Sequence, residues 1–191
     1  MSRLRIPLIA ICVIITMLMP AWSPAGAVRP QEGSEATLRV GDRLPDASLS
    51  AMKGRTVTLD ELLGHVKLIS IVPQLNTPVC DEQTHRFSDR AGELGRQVKI
   101  VTISTNTSDD QHTFAARAGI SNIRFLSDVP GYVFGRESGL LLPQLGILHR
   151  AVVVADADNV IRYLELVPMG SLPNFDAALT AAKRLASEGG R

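Results

Sequence analysis

Two short apolar runs, Lys67–Val72 and Val98–Ser104, are each followed by a segment with helical spacing, and this alternation sets the fold class. The first run ends at Pro73 and reads as a buried strand. Asp81 to about Leu94 then places Phe87, Ala91 and Leu94 on one side of a helix. After the second strand, Asp109–Ala118 reads as a helix closed by Gly119, and Ile123–Leu126 as a short third strand. Arg150–Ala155 and Val160–Val167 flank the turn residues Asp156, Asp158 and Asn159, so they predict a hairpin. A terminal helix over Asn174–Ser187 carries Phe175, Ala178, Leu179, Ala182 and Leu185.

This order predicts an α/β domain whose parallel strands are extended by an antiparallel hairpin, giving a mixed central sheet flanked by helices. It suits a thioredoxin-like core preceded by an N-terminal β-hairpin over about 37–59. The stretch between the third strand and the hairpin reads as irregular. The chain has 191 residues, within the usual range for one domain, and its 45% hydrophobic content is enough for a sizeable core.

The first 27 residues stand apart. Arg3 and Arg5 precede an uncharged, mostly apolar run from Ile6 to Trp22, and Ala25-x-Ala27 supplies small residues at the end. These are the three parts of a secretory signal, with cleavage expected after Ala27. The alternative is an uncleaved membrane anchor, because the run is close to the roughly 17–25 residues a span requires. The expected location is therefore exported, either periplasmic or secreted. Residues 28–36, with Pro30, Gly33 and Ser34, read as a flexible linker, and 37–191 as the folded domain.

With Cys12 inside the signal, the mature chain keeps one thiol, Cys80, and cannot form an internal disulfide. A lone thiol in an oxidising compartment is either buried and inert or reactive. Cys80 follows a strand and a Pro-containing loop and opens a helix. A helix N-terminus carries about half a positive charge and favours thiolate, the attacking form. Asp81 and Glu82 would oppose ionisation if aimed at the sulfur, so a reactive Cys80 needs a cation from elsewhere in the chain.

Pro73, Thr77 and Cys80 form the spacing P-x-x-x-T-x-x-C. Around it stand Val40-Gly41-Asp42 with Pro45, Thr84-x-Arg86-Phe87, Leu148-x-Arg150-Ala-Val-Val-Val154 and Pro173-Asn-Phe-x-Ala-Ala-Leu179. Over about 37–186 the chain resembles the thiol peroxidase branch of the peroxiredoxins, the atypical two-cysteine type. The resemblance implies that Cys80 is the peroxidatic cysteine, becoming a sulfenic acid as it reduces hydrogen peroxide or an organic hydroperoxide. It implies that the Thr77 hydroxyl bonds thiolate and peroxide, and that Pro73 shields the sulfur. It also implies that Arg150 stabilises the thiolate and polarises the O–O bond. A homodimer is expected on the same ground. Without that resemblance, Pro73 simply ends a strand, Thr77 caps a helix and Arg150 is a solvated charge.

The sequence departs from the family at two places. Ala115 stands where the family usually carries a resolving cysteine, so the sulfenic acid would need an external thiol, either a thioredoxin-like protein or a small molecule. His85 stands where arginine is common. The competing readings are a peroxiredoxin-like redox sensor or binding module, and a disulfide oxidoreductase. The second lacks its C-x-x-C, since Gln83 occupies the partner position.

Other chemistries find little support. No cofactor is expected: there is no glycine-rich phosphate loop, and His65, His85, His112 and His149 have no recognised zinc spacing. Asp156-Ala-Asp158-Asn159 lacks the later Gly and Glu of a calcium loop. A net charge of +1 and only eight aromatic residues (five Phe, two Tyr, one Trp) give no nucleic-acid platform.

Overall fold

The computed structural model describes residues 37–189. The predicted signal (1–27) and linker (28–36) lie outside the described residues. In chain order the elements are β1 (Leu49–Ala51), β2 (Arg55–Val57), β3 (Val66–Ile71), α1 (Pro78–Asp89), β4 (Val98–Ser104), α2 (Ser108–Ala118), β5 (Arg124–Ser127), α3 (Val133–Glu137), β6 (Leu141–Leu142), β7 (Ile147–Leu148), β8 (Ala151–Ala155), β9 (Ile161–Leu166) and α4 (Phe175–Glu188).

Seven strands form one mixed sheet in the order β2-β1-β5-β4-β3-β8-β9, and β6 pairs with β7 in a separate small ladder. β3, β4 and β5 run parallel, joined by crossovers through α1 and α2. β8 joins β3 antiparallel, and β9 returns antiparallel beside it. The central strand β3 is buried along its whole length because both faces are covered. Leu68 packs toward Phe87, Phe114, Phe175 and Leu179, while Ile69 and Ile71 pack toward Leu59, Phe134 and Leu148.

The predicted core elements fall within a few residues of the observed ones. The N-terminal hairpin is shorter than expected: β1 and β2 occupy only Leu49–Val57, joined by a 3-10 turn at Met52–Gly54. Residues 37–48 are largely irregular, with one isolated β-bridge, Arg43 to Val160, hydrogen bonds between Ile161 and both Gly41 and Asp42, and Leu38, Leu44 and Ala47 buried against the sheet. α1 starts three residues earlier than the spacing suggested, at Pro78, and ends at Asp89. Proline is favoured at the first helical position, where its missing N–H costs nothing.

The stretch read as irregular holds α3 and the β6–β7 hairpin. α3 has five residues, too few to show a period. Its start is supported from a distance: the Asp128 carboxylate accepts from Phe134 N at 2.9 Å and Gly135 N at 2.8 Å. Burial nevertheless holds the Asp128 carboxyl above the usual carboxylate range.

Candidate active site

The site forms where β3 and β4 end. Beyond β3, Val72 N still donates to Ile103 O at 3.0 Å. The chain then leaves the sheet but stays tied to the loop after β4. Pro73 O accepts from Thr105 Oγ1 at 2.9 Å, and Leu75 N donates to Asn106 Oδ1 at 2.8 Å. Thr77 is extended, at φ −113° and ψ 145°, as the residue before a proline must be. Pro78 then opens α1, and Cys80 is its third residue.

Thr77 occupies the N-cap position, yet its side chain makes no cap hydrogen bond, contrary to the capping role the sequence allowed. Its hydroxyl donates to Gln74 O at 3.1 Å, and its carbonyl accepts from Asp81 N at 2.9 Å. Pro73 is buried at the end of the strand. The Asp81 and Glu82 carboxylates are engaged one turn further along the helix. Glu82 pairs with Arg86 at 2.6 Å, and Asp81 with His85 at 3.7 Å. Both acids are about half exposed, so their charge is spent largely on solvent and on these partners.

The cation beside Cys80 is Arg150. Arg150 is 2% exposed and Cys80 is 0% exposed. Arg150 Nη2 donates to Cys80 Sγ at 3.1 Å. Arg150 Nη1 donates to Gln83 Oε1 at 2.6 Å, and Gln83 Nε2 donates to Ser70 Oγ at 2.8 Å. The result is a buried relay from Ser70 on β3 through Gln83 on α1 to Arg150 and the sulfur. Arg150 itself precedes β8 by one residue, where its carbonyl accepts from Val167 N at 3.0 Å and from His149 Nδ1 at 2.9 Å. Its Nε is a buried donor with no hydrogen-bond partner.

A family profile described as Redoxin matches residues 39–179, most of the chain. The chain belongs to the redoxin family. Within it the chain is a thiol peroxidase by similarity: it is 40% identical over 146 residues to the thiol peroxidase of Staphylococcus aureus, covering 76% of this chain and 88% of that one. A peroxiredoxin-like protein from Aquifex aeolicus superposes with a TM-score of 0.72 at 28% identity, over 80% of this chain and 90% of that one. The thiol peroxidase from Chromobacterium violaceum gives a TM-score of 0.66 at 25% identity, over 80% and 88% of the two chains.

Of the four residues singled out from the sequence, the structure joins Cys80 and Arg150 directly and places Pro73 and Thr77 on the loop that leads into Cys80. Gln83 and Ser70 were missed. Gln83 was noticed only as the residue that is not a second cysteine. Its place three residues after Cys80, hence on the same helix face, was the available signal.

Ala115 is buried in the middle of α2 and packs in the apolar core beside Phe114 and Ile120. Cys80 is the only cysteine among the described residues. His85, besides its contact with Asp81, sits with its ring 6.4 Å from Phe114. The Asp156 carboxylate is occupied by Asp158 N, Val160 N and Arg162 Nε, which fits the turn reading of that segment.

Proposed function

We propose that this thiol peroxidase reduces peroxides at Cys80, with Arg150 as the group that stabilises both the thiolate and the departing oxygen. The observation that carries the proposal is the buried guanidinium donating to the sulfur at 3.1 Å in the first turn of a helix. The thiolate attacks the distal oxygen of ROOH. An S–O bond forms, the O–O bond breaks, and RO⁻ leaves to take up a proton as ROH. Negative charge therefore moves from sulfur toward the leaving oxygen. Donors already fixed along that path stabilise the transition state, at roughly 3–4 kcal/mol for a well-placed one.

Arg150 brings two such donors. Nη2 faces the sulfur, and the unpartnered Nε is free to serve a peroxide oxygen. The Thr77 hydroxyl is the third donor in this scheme. It exchanges its bond to Gln74 O for one to the peroxide. Pro73 keeps water off the sulfur from the strand side. Hydrogen peroxide and organic hydroperoxides are the substrates proposed.

The sulfenic acid is released by an external thiol. One RSH displaces water and forms a mixed disulfide with Cys80, and a second RSH releases the Cys80 thiol and RSSR. Ala115, in the position the family uses for its resolving cysteine, supports this one-cysteine cycle. The protein is proposed to act outside the cytoplasm, after cleavage at Ala27, as a homodimer. N-terminal sequencing and sedimentation of the exported protein test those two points.

The central test is dimedone trapping. Reduced protein given one equivalent of hydrogen peroxide with excess dimedone present should accumulate the dimedone adduct on Cys80, and Cys80→Ser should neither form it nor consume peroxide. A Cys80 that remains a free thiol in excess peroxide would sink the proposal.

A further inference from the structure

The Thr77 hydroxyl rests on one end of a peptide group whose other end is held from a distant part of the chain. Thr77 Oγ1 donates to Gln74 O at 3.1 Å. Leu75 N belongs to the same peptide group and donates to Asn106 Oδ1 at 2.8 Å. The Gln74–Leu75 bond is trans and the group is planar, so its C=O and N–H point in opposite directions and turn together. Holding the N–H therefore fixes where the carbonyl points, and with it where the Thr77 hydroxyl is parked.

No strand is left to take that N–H, because the β3–β4 pairing ends at Ile71 with Ile103. Water does not reach it either, because Leu75 is 0% exposed. The acceptor has to come from a side chain, and Asn106 in the loop after β4 supplies it.

Asn106 is itself set by its neighbours. Its Oδ1 also accepts from Ser104 Oγ at 3.2 Å, and its backbone N donates back to Ser104 Oγ at 3.3 Å. Ser104 Oγ accepts again from Gln111 Nε2 on α2 at 3.0 Å, and the same nitrogen donates to Leu126 O at 2.9 Å. Ser104 and Gln111 are both buried. One donated and two accepted bonds use the whole capacity of the Ser104 hydroxyl. Two donors converge on Asn106 Oδ1, so the amide must turn its oxygen, and not its nitrogen, toward the loop. Thr105 fixes the preceding carbonyl in the same way, through Pro73 O at 2.9 Å.

We infer that Asn106 is a positioning residue for peroxide reduction: by holding Leu75 N it orients the Gln74–Leu75 peptide and so sets the Thr77 hydroxyl for transfer to the peroxide. The inference rests on the peroxidase reading of Cys80, with Thr77 as a donor to the peroxide. The sulfur takes its hydrogen bond from Arg150, so Asn106 acts on the donor to the peroxide and not on the cation beside the thiolate.

The test is stopped-flow oxidation of Cys80 by hydrogen peroxide in the full-length protein, arranged as a double-mutant cycle with Thr77→Val. Asn106→Ala should lower the second-order rate about tenfold, since a displaced reacting-site donor costs on this order or more. Asn106→Asp keeps an acceptor for both Leu75 N and Ser104 Oγ and should stay within about threefold of wild type. In Thr77→Val, itself slowed, adding Asn106→Ala should cost less than about twofold more, because the hydroxyl it positions is gone. The pH profile of Cys80 alkylation by iodoacetamide should be that of wild type in Asn106→Ala, because Arg150 still meets the sulfur. The inference is overturned if Asn106→Ala oxidises at the wild-type rate, if it costs the same factor in the Thr77→Val background, if Asp is as slow as Ala, or if the alkylation profile shifts. A Thr77→Val variant as fast as wild type overturns it as well. A wild-type Cys80 that peroxide leaves unoxidised is a separate result, which defeats the peroxidase reading and this inference with it.

Discussion

Two cations are buried near opposite ends of the β3–β8 ladder, and they are held in different ways. Arg150 sits beside the last β3 pairing, Ile71 with Ala151, and Lys67 sits at the first, opposite Ala155. Both are essentially inaccessible, at 2% and 0% exposure. Arg150 meets side chains placed to receive it: Cys80 Sγ, and Gln83, which is itself fixed by Ser70. Lys67 has one weak acceptor, the Leu62 carbonyl at 3.4 Å. Burial pushes its ammonium down from the ordinary lysine value of 10.5 to about 8, although the Asp156 and Asp158 carboxylates act in the opposite direction. A buried charge is expensive unless it is paired and hydrogen-bonded. The comparison teaches that burial alone does not mark a functional cation. The mark is an acceptor set built around it and one donor left over for something else.

The comparison breaks first at Arg150. Arg150→Met should lower the second-order rate of Cys80 oxidation by about 10²–10³-fold, the usual effect of removing a preorganised donor from a developing anion. Arg150→Lys should recover only a small part, since an ammonium cannot donate to Gln83 and to the sulfur from a planar fork. Stopped-flow measurement of Cys80 oxidation decides the matter. A loss under threefold for the Met variant would make Arg150 the equal of Lys67, a buried charge without a task.

A smaller effect is expected one step back in the relay. Gln83→Leu leaves Arg150 Nη1 and Ser70 Oγ without their partner, but keeps the guanidinium and the sulfur. A drop of roughly 10–30-fold is expected, the scale of one lost hydrogen bond to a charged group. Gln83 acts through Arg150 and is a positioning residue. Gln83→Glu keeps the acceptor for Arg150 and should restore most of the rate. If Leu and Glu behave alike, the relay is only packing.

What was legible in the sequence follows the same division. The sheet strands and long helices could be read because β3, β4 and β8 are apolar and α2 has a clear stop at Gly119, which takes φ 67°; the Thr107 cap that starts it was not read. The Cys80–Arg150 pair spans 70 residues and was reached only through the family resemblance, since no local pattern encodes it. Ser70 and Gln83 were not legible, because a serine within an apolar strand and a glutamine on a helix have many ordinary explanations. α3 was invisible because its support comes from Asp128, across a loop. In the sequence Lys67 is only the first residue of an apolar run. Its burial depends on cover from both sides of the sheet, which no single segment announces.

The smallest predicted effect is at Lys67, and it concerns stability rather than rate. Lys67→Met should leave Cys80 oxidation unchanged and raise stability at pH 7 by about 1–2 kcal/mol, because replacing a poorly compensated buried charge with an apolar chain of similar volume is commonly favourable. The direction with pH follows from proton binding. Between about 8 and 10.5 the unfolded chain holds a proton on Lys67 that the folded chain has released. Raising the pH through that window therefore favours the folded state. Below about 8 both states are protonated, and the whole penalty of burying the charge is present. In urea titrations from pH 7 to 10.5, the advantage of the Met variant should hold up to about pH 8, then shrink and nearly vanish at the upper end. An advantage that stays constant would mean that Lys67 keeps its charge throughout, held by Asp156 and Asp158, and that the two buried cations are more alike than their hydrogen bonds indicate.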